Sequence, residues 1–324
     1  MTTDAWMSTV DVHVVSLPMR ERFRGITVRE AMLLRGPGGW GEFAPFVEYD
    51  VPTSVPWLRA AREATRADWP EPVRESVPVN VTVPAVGPER AAEIVRAGGG
   101  CRTAKVKVAE PGQPLADDVA RVAAVRDALP AGGRVRVDAN GAWSVDEAIT
   151  AIKELDRAAD GLEYVEQPCR GLDELAAVRR RVDVPVAADE SIRRADDPLR
   201  VAVAGAADVA VLKVAPLGGV RRALEVAEAC GLPCVVSSAV DTSVGLAAGV
   251  ALAAALPELP YACGLGTGSL LARDVTRRPL LPVDGALPVG PVEPDPDLLA
   301  ELAAPPDRVT WWRDRLAACA GAMR

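Results

Sequence analysis

Short β-branched runs and Ala-rich amphipathic stretches alternate along most of this chain. From about Pro78 onward the runs are VPVNVTV, TAKVKV, RVRVDAN, GLEYVEQP, VPVAADES, ADVAVLKV, PCVVSSAV and YACGLGTG. Their centres lie roughly 22 to 31 residues apart, the length of one strand, one turn and one helix. Strands that alternate with helices at this spacing belong to parallel βαβ units. Eight units over roughly 200 residues predict a (β/α)8-type, TIM-like barrel, with a doubly wound open sheet as the alternative. The helices have readable starts. SVDE, from Ser144 to Glu147, has the form of a capping box, and Asp196 precedes an Ala-rich stretch with Pro198 in its first turn.

The first 77 residues break this repeat. They hold the alternating runs STVDVHVVSL and REAMLLR, a Gly-rich hairpin at RGPGGWGE, and a helical stretch around Ser54 to Arg66. After Leu281 the chain is Pro-rich and then runs into DRVTWWRDRLAACA. The expected organisation is an N-terminal α+β capping domain over 1–77, a barrel domain over 78–280, and a tail over 281–324 that packs back on the cap or the barrel. The longest apolar run, Val244 to Leu256, has 13 residues and contains glycine. It is too short to cross a bilayer and predicts a buried helix.

Composition narrows the class. Of 324 residues, 25% are charged and 49% hydrophobic, as in a soluble globular protein. A net charge of −8 without a basic stripe argues against nucleic acid or an anionic membrane as partner. Six cysteines (Cys101, Cys169, Cys230, Cys234, Cys263 and Cys319) lack paired spacing, and the only histidine is His13. Neither a Cys/His zinc site nor a disulfide framework is expected, and reduced thiols in a cytoplasmic protein are. MTTDAWMSTV has no basic region followed by an apolar core, so no signal peptide is expected. No apolar pattern identifies an oligomeric interface.

Chemistry in a barrel sits at the C-terminal ends of its strands. Read in order, those ends carry Lys105 and Lys107, Asp138 followed by Asn140, Glu166, Asp189 with Glu190, Lys213, Ser237 with Ser238, and the glycines Gly264 and Gly266. The two lysines alternate with valine, so both ammonium groups face one side, where burial demands a partner. Asp138, Glu166 and Asp189 lie 28 and 23 residues apart, one unit each. Any one of them reads equally well as a helix N-cap. Together, flanked by lysines, they read as hard oxygen ligands suited to Mg²⁺. Neighbouring like charges lower the pKa of at least one lysine towards the range of a base. The chemistry this suggests is proton abstraction beside the carboxylate of a small-molecule substrate, with metal and ammonium offsetting the charge of the resulting enediolate. Arg136 points to the same interior and meets a substrate carboxylate or pairs with Asp189 or Glu190. Asn140 orients a metal-bound group or ends its strand. Ser237, Ser238 and the Gly264–Gly268 stretch contact a substrate carboxylate or form a tight turn. His13, between valines, is a strand residue without catalytic work.

In this order, K-x-K, D-x-N, E-Q-P, D-E-S and K resemble the enolase superfamily, muconate-lactonising-enzyme subgroup, over essentially the whole chain. The resemblance implies Asp138, Glu166 and Asp189 as Mg²⁺ ligands and Lys107 as the base, with Lys105 and Lys213 stabilising the intermediate. With no histidine in the barrel, branches that use a His base are excluded. The stretch SSAVDTSVGLAAGVALAAALPELPYACGLGTG is similar to actinobacterial members that dehydrate 2-succinyl-6-hydroxy-2,4-cyclohexadiene-1-carboxylate in menaquinone synthesis. N-acylamino-acid racemisation or dipeptide epimerisation, with Lys107 and Lys213 on opposite faces, is the alternative; cycloisomerisation ranks third and a metabolite-binding barrel stands outside enzymology. Pro18 to Gly25 is placed like the mobile capping loop of the superfamily, though a solvated charged loop is the plainer description.

Overall fold

The computed structural model describes residues 6–7, 9–66, 69–193 and 205–323. The helix expected after Asp196 lies outside the described residues.

The N-terminal region forms an antiparallel sheet of β1 (Asp11–Phe23), β2 (Ile26–Gly36) and β3 (Gly39–Phe43), followed by helix α1 (Val51–Ala64). Alternate residues of β1 and β2 are buried on both faces of the sheet: Val14, Met32 and Leu34 face the cluster that holds α1, and Val15, Leu17, Ala31 and Leu33 face a second cluster on the other side. Asp50 caps α1 by accepting from the Thr53 amide at 2.9 Å. A Cβ on Gly41 would lie 2.2 Å from the Ala61 carbonyl oxygen, so glycine is what lets β3 lie flush against α1. The C-terminal helix Pro306–Ala322, from the tail, docks on this unit. Its Trp312 is fully buried and donates to Glu30 Oε2 at 2.9 Å, while Arg315 donates to the carbonyls of Phe46 and Tyr49 at 2.9 and 2.6 Å. The Pro18–Gly25 segment is a strand and a turn rather than a loop: Arg24 and Gly25, both at positive φ, make a two-residue hairpin turn, and Phe23 is buried.

After β4 (Ser76–Pro78), which pairs with β12 (Ala286–Pro288), seven parallel strands form one sheet. They are β5 (Val81–Val83), β6 (Thr103–Lys107), β7 (Arg134–Asp138), β8 (Leu162–Glu166), β9 (Val186–Ala188), β10 (Val209–Leu212) and β11 (Cys234–Val236), adjacent in chain order. Helices α2 (Pro88–Arg96), α3 (Leu115–Ala128), α4 (Val145–Ala159), α5 (Leu172–Arg179), α8 (Val220–Cys230) and α9 (Ser243–Ala255) follow successive strands. The short α6 (Glu190–Arg193) and α7 (Val214–Leu217) sit directly on strand ends. Ser144 and Glu147 make the expected capping box at the start of α4. Helix α9 is buried along nearly its whole length, as its apolar run implies, and no helix among the described residues is long and apolar enough to cross a membrane.

One face of each parallel strand packs on the helices through residues such as Val106, Val137, Val165, Val186, Leu212 and Val236. The other face encloses a smaller cluster of Tyr164, Ala187, Val209, Val211 and Val235. The run YACGLGTG does not form an extended strand. Cys263 bridges Val79 and Gly264 bridges Ser237, so this segment meets both edges of the sheet through one residue each. It then tightens into a 3-10 turn at Gly266–Leu270. A Cβ on Gly264 would lie 2.5 Å from Ser237 Oγ, and one on Gly266 would lie 2.3 Å from the Asn80 carbonyl oxygen. Gly264 thus leaves room for the Ser237 side chain, and Gly266 lets the backbone pass close to that of Asn80. All six cysteines are buried and none is in a disulfide.

Candidate active site

Register places the chemistry. Lys107 pairs with Asp138 across β6–β7, and Asp138 pairs with Glu166 across β7–β8. Asp189 follows β9, Lys213 follows β10 and Ser237 follows β11. Because side chains alternate with period two, Lys105 lies one layer below Lys107 on the same face. Lys105, Lys107, Asp138, Asn140, Lys213, Ser237, Ser238 and Gly264 line one pocket, with Phe23 and Arg24 of the hairpin turn above them.

Each of the three carboxylates meets a lysine. Lys105 Nζ is held by both oxygens of Glu166, at 3.0 and 2.9 Å, and lies 3.5 Å from Asp138. Lys107 Nζ donates to Asp138 Oδ2 at 2.5 Å and to Asn140 Oδ1 at 2.6 Å. Lys213 Nζ donates to Asp189 Oδ2 at 2.5 Å, between the ends of the neighbouring strands β10 and β9. Asn140 adopts φ 48°, a left-handed conformation that asparagine tolerates, and this turns its amide back over the strand end to fix Lys107.

The environments of the two neighbouring lysines differ. Burial lowers the pKa of Lys107; Asp138 opposes this, and the charge on Lys105 adds to it. Burial, more than like charge, is thus the main cause. Burial acts against Lys105 too, but Glu166 and Asp138 outweigh it and hold that ammonium protonated. Burial would raise Asp138, yet Lys107 and Lys105 keep it well below the usual carboxylate range.

Asp138, Glu166 and Asp189 offer hard oxygens, no soft ligand, and nearly complete burial. Among the described residues no three acidic, His or Cys side chains stand close enough to enclose an ion, and each of these carboxylates is paired with a lysine ammonium. Donor type and position at three adjacent strand ends fit Mg²⁺.

Two positions need correction. Arg136 reaches neither the pocket nor Asp189 and Glu190. A register shift after Val135 inserts Glu163 as an extra residue in β8, and Arg136 Nε donates to its carboxylate. Arg136 also donates to the Ala262 carbonyl at 2.6 Å and lies over the Tyr164 ring at 4.7 Å, inside the small inner cluster. Secondly, sequence reasoning passed over Gln167. Its Oε1 accepts from the amides of Asp189 and Ser191 at 3.0 and 3.2 Å, tying the end of β8 to the Asp189 backbone. Its place in EQP, between a candidate ligand and a proline, was the available signal. His13 is a strand residue whose ring lies 5.5 Å from that of Trp40.

A second acidic group lies behind the pocket wall. Glu42 of β3 and Asp241, after β11, are both buried against Arg29 of β2. Burial first, then Asp241, pushes Glu42 up to about 8, and burial also raises Asp241. A carboxyl raised on folding stabilises below its unfolded value and loses that contribution as pH rises through the folded value. In Glu42→Gln, thermal unfolding is expected to show the mutant's Tm rising relative to wild type as pH goes from 4.5 to about 8, and levelling above that. A Tm difference independent of pH would contradict the raised pKa of Glu42.

Residues 88–296 match the family described as Enolase C-terminal domain-like, and residues 14–65 match Enolase N-terminal domain-like. The fold is similar to that of muconate lactonizing enzyme from Pseudomonas putida, with TM-score 0.75 and 20% identity over 91% of this chain and 99% of that one. It is equally similar to the L-Ala-D/L-Glu epimerase from Bacillus subtilis, with TM-score 0.75 and 23% identity over 88% and 96%. In sequence the chain is 66% identical to o-succinylbenzoate synthase of Thermobifida fusca over 95% of each chain. It is 61% identical to o-succinylbenzoate synthase of Mycolicibacterium smegmatis over 95% of this chain and 94% of that one. With both domain families matched and identity this high across nearly its full length, the chain belongs to the o-succinylbenzoate synthase family of the enolase superfamily.

Proposed function

We propose that this protein dehydrates 2-succinyl-6-hydroxy-2,4-cyclohexadiene-1-carboxylate to o-succinylbenzoate, a cytoplasmic step of menaquinone synthesis. The observation that carries the reading is the row of three lysines and three buried carboxylates at the C-terminal edge of the parallel sheet. The same reading takes the seven strands as a barrel, closed by the segment that bridges Val79 and Ser237.

Asp138, Glu166 and Asp189 would hold Mg²⁺. Bound there, Mg²⁺ supplies positive charge beside the substrate carboxylate. Lys107, fixed by Asp138 and Asn140, takes the proton from the ring carbon that bears the carboxylate. The departing hydroxyl lies on the same face, so the same ammonium returns that proton to it and water leaves. Lys105, kept charged by Glu166, and Lys213, on the far side of the pocket, stabilise the negative charge that accumulates between the two events. The second event creates an aromatic ring and needs no further acid. Ser237, Ser238 and the backbone at Gly264 form the wall that receives the substrate carboxylates.

Lys213 standing opposite Lys107 also suits a second activity, racemisation of an N-acylamino acid through removal and return of a proton on opposite faces. Proton NMR of the two incubations tests both readings. Appearance of aromatic signals from the cyclohexadiene supports dehydration. Exchange of the α-proton of an N-succinylamino acid in deuterated water, with no aromatic product from the cyclohexadiene, would replace it with racemisation.

A further inference from the structure

The segment Ser237–Thr242 leaves β11, forms one wall of the pocket and then starts α9. At its centre Val240 is buried with φ 60°. A left-handed conformation is rarely adopted by a β-branched residue, since its side chain crowds the backbone there. Such a conformation persists only where the surroundings impose it.

What imposes it comes from the N-terminal sheet. Arg29 Nε donates to the Val240 carbonyl at 3.1 Å, and a second guanidinium nitrogen donates to the Ala44 carbonyl. The guanidinium plane rests on the Phe46 ring at 4.6 Å, which fixes its orientation. Two residues along, Glu42 Oε2 accepts from the Thr242 amide at 3.0 Å and from its hydroxyl at 2.5 Å. Thr242 is the N-cap of α9, so Glu42 also sets where that helix begins. Asp241 turns inward and accepts from the Ala239 amide at 3.1 Å. Gly245 permits this packing, since a Cβ there would lie 2.7 Å from Asp241 Cβ and 2.9 Å from Glu42 Cδ. The Val240 side chain is buried in one cluster with Val15, Leu17, Phe23 and Leu33 of the same sheet.

We infer that Arg29 and Glu42 are positioning residues for the reaction: from the N-terminal sheet they hold the loop after β11 in its strained shape and thereby set Ser237 and Ser238 against the substrate. Neither touches the pocket's lysines or carboxylates; they act through Val240 and Thr242. This rests on the dehydration reading only for the activity that is measured. The contact between sheet and loop then does more than bury apolar surface. It stores a backbone conformation that the loop does not choose by itself.

The test is suppression. Arg29→Met should raise KM about tenfold with kcat changed much less, as expected when a binding wall is displaced but the base is not. Glycine adopts positive φ without strain, so adding Val240→Gly should return KM to within about threefold of wild type. Hydrogen exchange should quicken across residues 237–242 in Arg29→Met and stay unchanged in β6–β9. If Arg29→Met does not fold, Arg29→Lys takes its place. It keeps a cation beside Glu42 and Asp241 but loses the planar fork that spans two carbonyls. The inference is overturned if KM is unchanged in the folded Arg29 variant, or if Val240→Gly does not suppress its defect. If the wild type itself fails to dehydrate the cyclohexadiene, the dehydration reading fails, and the exchange pattern alone decides this inference.

Discussion

Lys107→Ala should lower turnover of the cyclohexadiene by at least about a thousandfold, the upper range for loss of a positioned general base, while the protein stays folded. Geometry separates the two effects. Lys107 is the lysine whose charge burial disfavours, and its ammonium is fixed by Asp138 and Asn140 at the pocket surface. Removing it does not strand Asp138, which keeps Lys105 at 3.5 Å. Denaturation midpoints should therefore shift little, and Mg²⁺ binding measured by calorimetry should survive. Turnover within tenfold of wild type would remove Lys107 from the role of base.

Glu166→Gln should be damaging in both respects. Glu166 is fully buried and holds Lys105 through both oxygens. Neutralising it leaves a buried ammonium with only the longer contact to Asp138, and breaking a buried ion pair on one side costs about 3–5 kcal/mol. That is a large part of the roughly 5–15 kcal/mol by which a domain is stable. Turnover should be lost as well, since Glu166 is both a proposed Mg²⁺ ligand and the group that keeps Lys105 charged. Pairing Glu166→Gln with Lys105→Met distinguishes the two losses. Stability measured by urea unfolding should largely return in the double mutant, because the stranded charge is gone, but turnover should not. Recovery of turnover in the double mutant would mean that neither residue acts in the reaction.

The parts of this site that were legible in the sequence are those governed by period. A parallel strand sends alternate residues to one side and ends at its active edge, so Lys105, Lys107, Asp138, Glu166, Asp189 and Lys213 could be aligned from spacing alone. What was not legible depends on local departures from that period or on contacts between distant segments. Arg136 obeys the alternation, but a single extra residue in β8 supplied Glu163 as its partner. The eighth run carries glycines where two backbones nearly touch, and it is reduced to single bridges instead of a strand. Glu42 and Thr242 lie 200 residues apart, and no pattern in either neighbourhood announces that one caps the other. The φ of Val240 was equally hidden, since valine is the residue least expected there.

Mg²⁺-dependent dehydration is tested most directly by following the ultraviolet absorbance of the cyclohexadiene substrate in the presence of purified protein, first with Mg²⁺, then after EDTA, then with Mg²⁺ restored in excess. Rapid conversion to the aromatic product, arrest by EDTA, and recovery when Mg²⁺ returns are expected. Conversion that continues unchanged in EDTA, or no conversion by a folded, Mg²⁺-loaded protein, would contradict Mg²⁺-dependent dehydration.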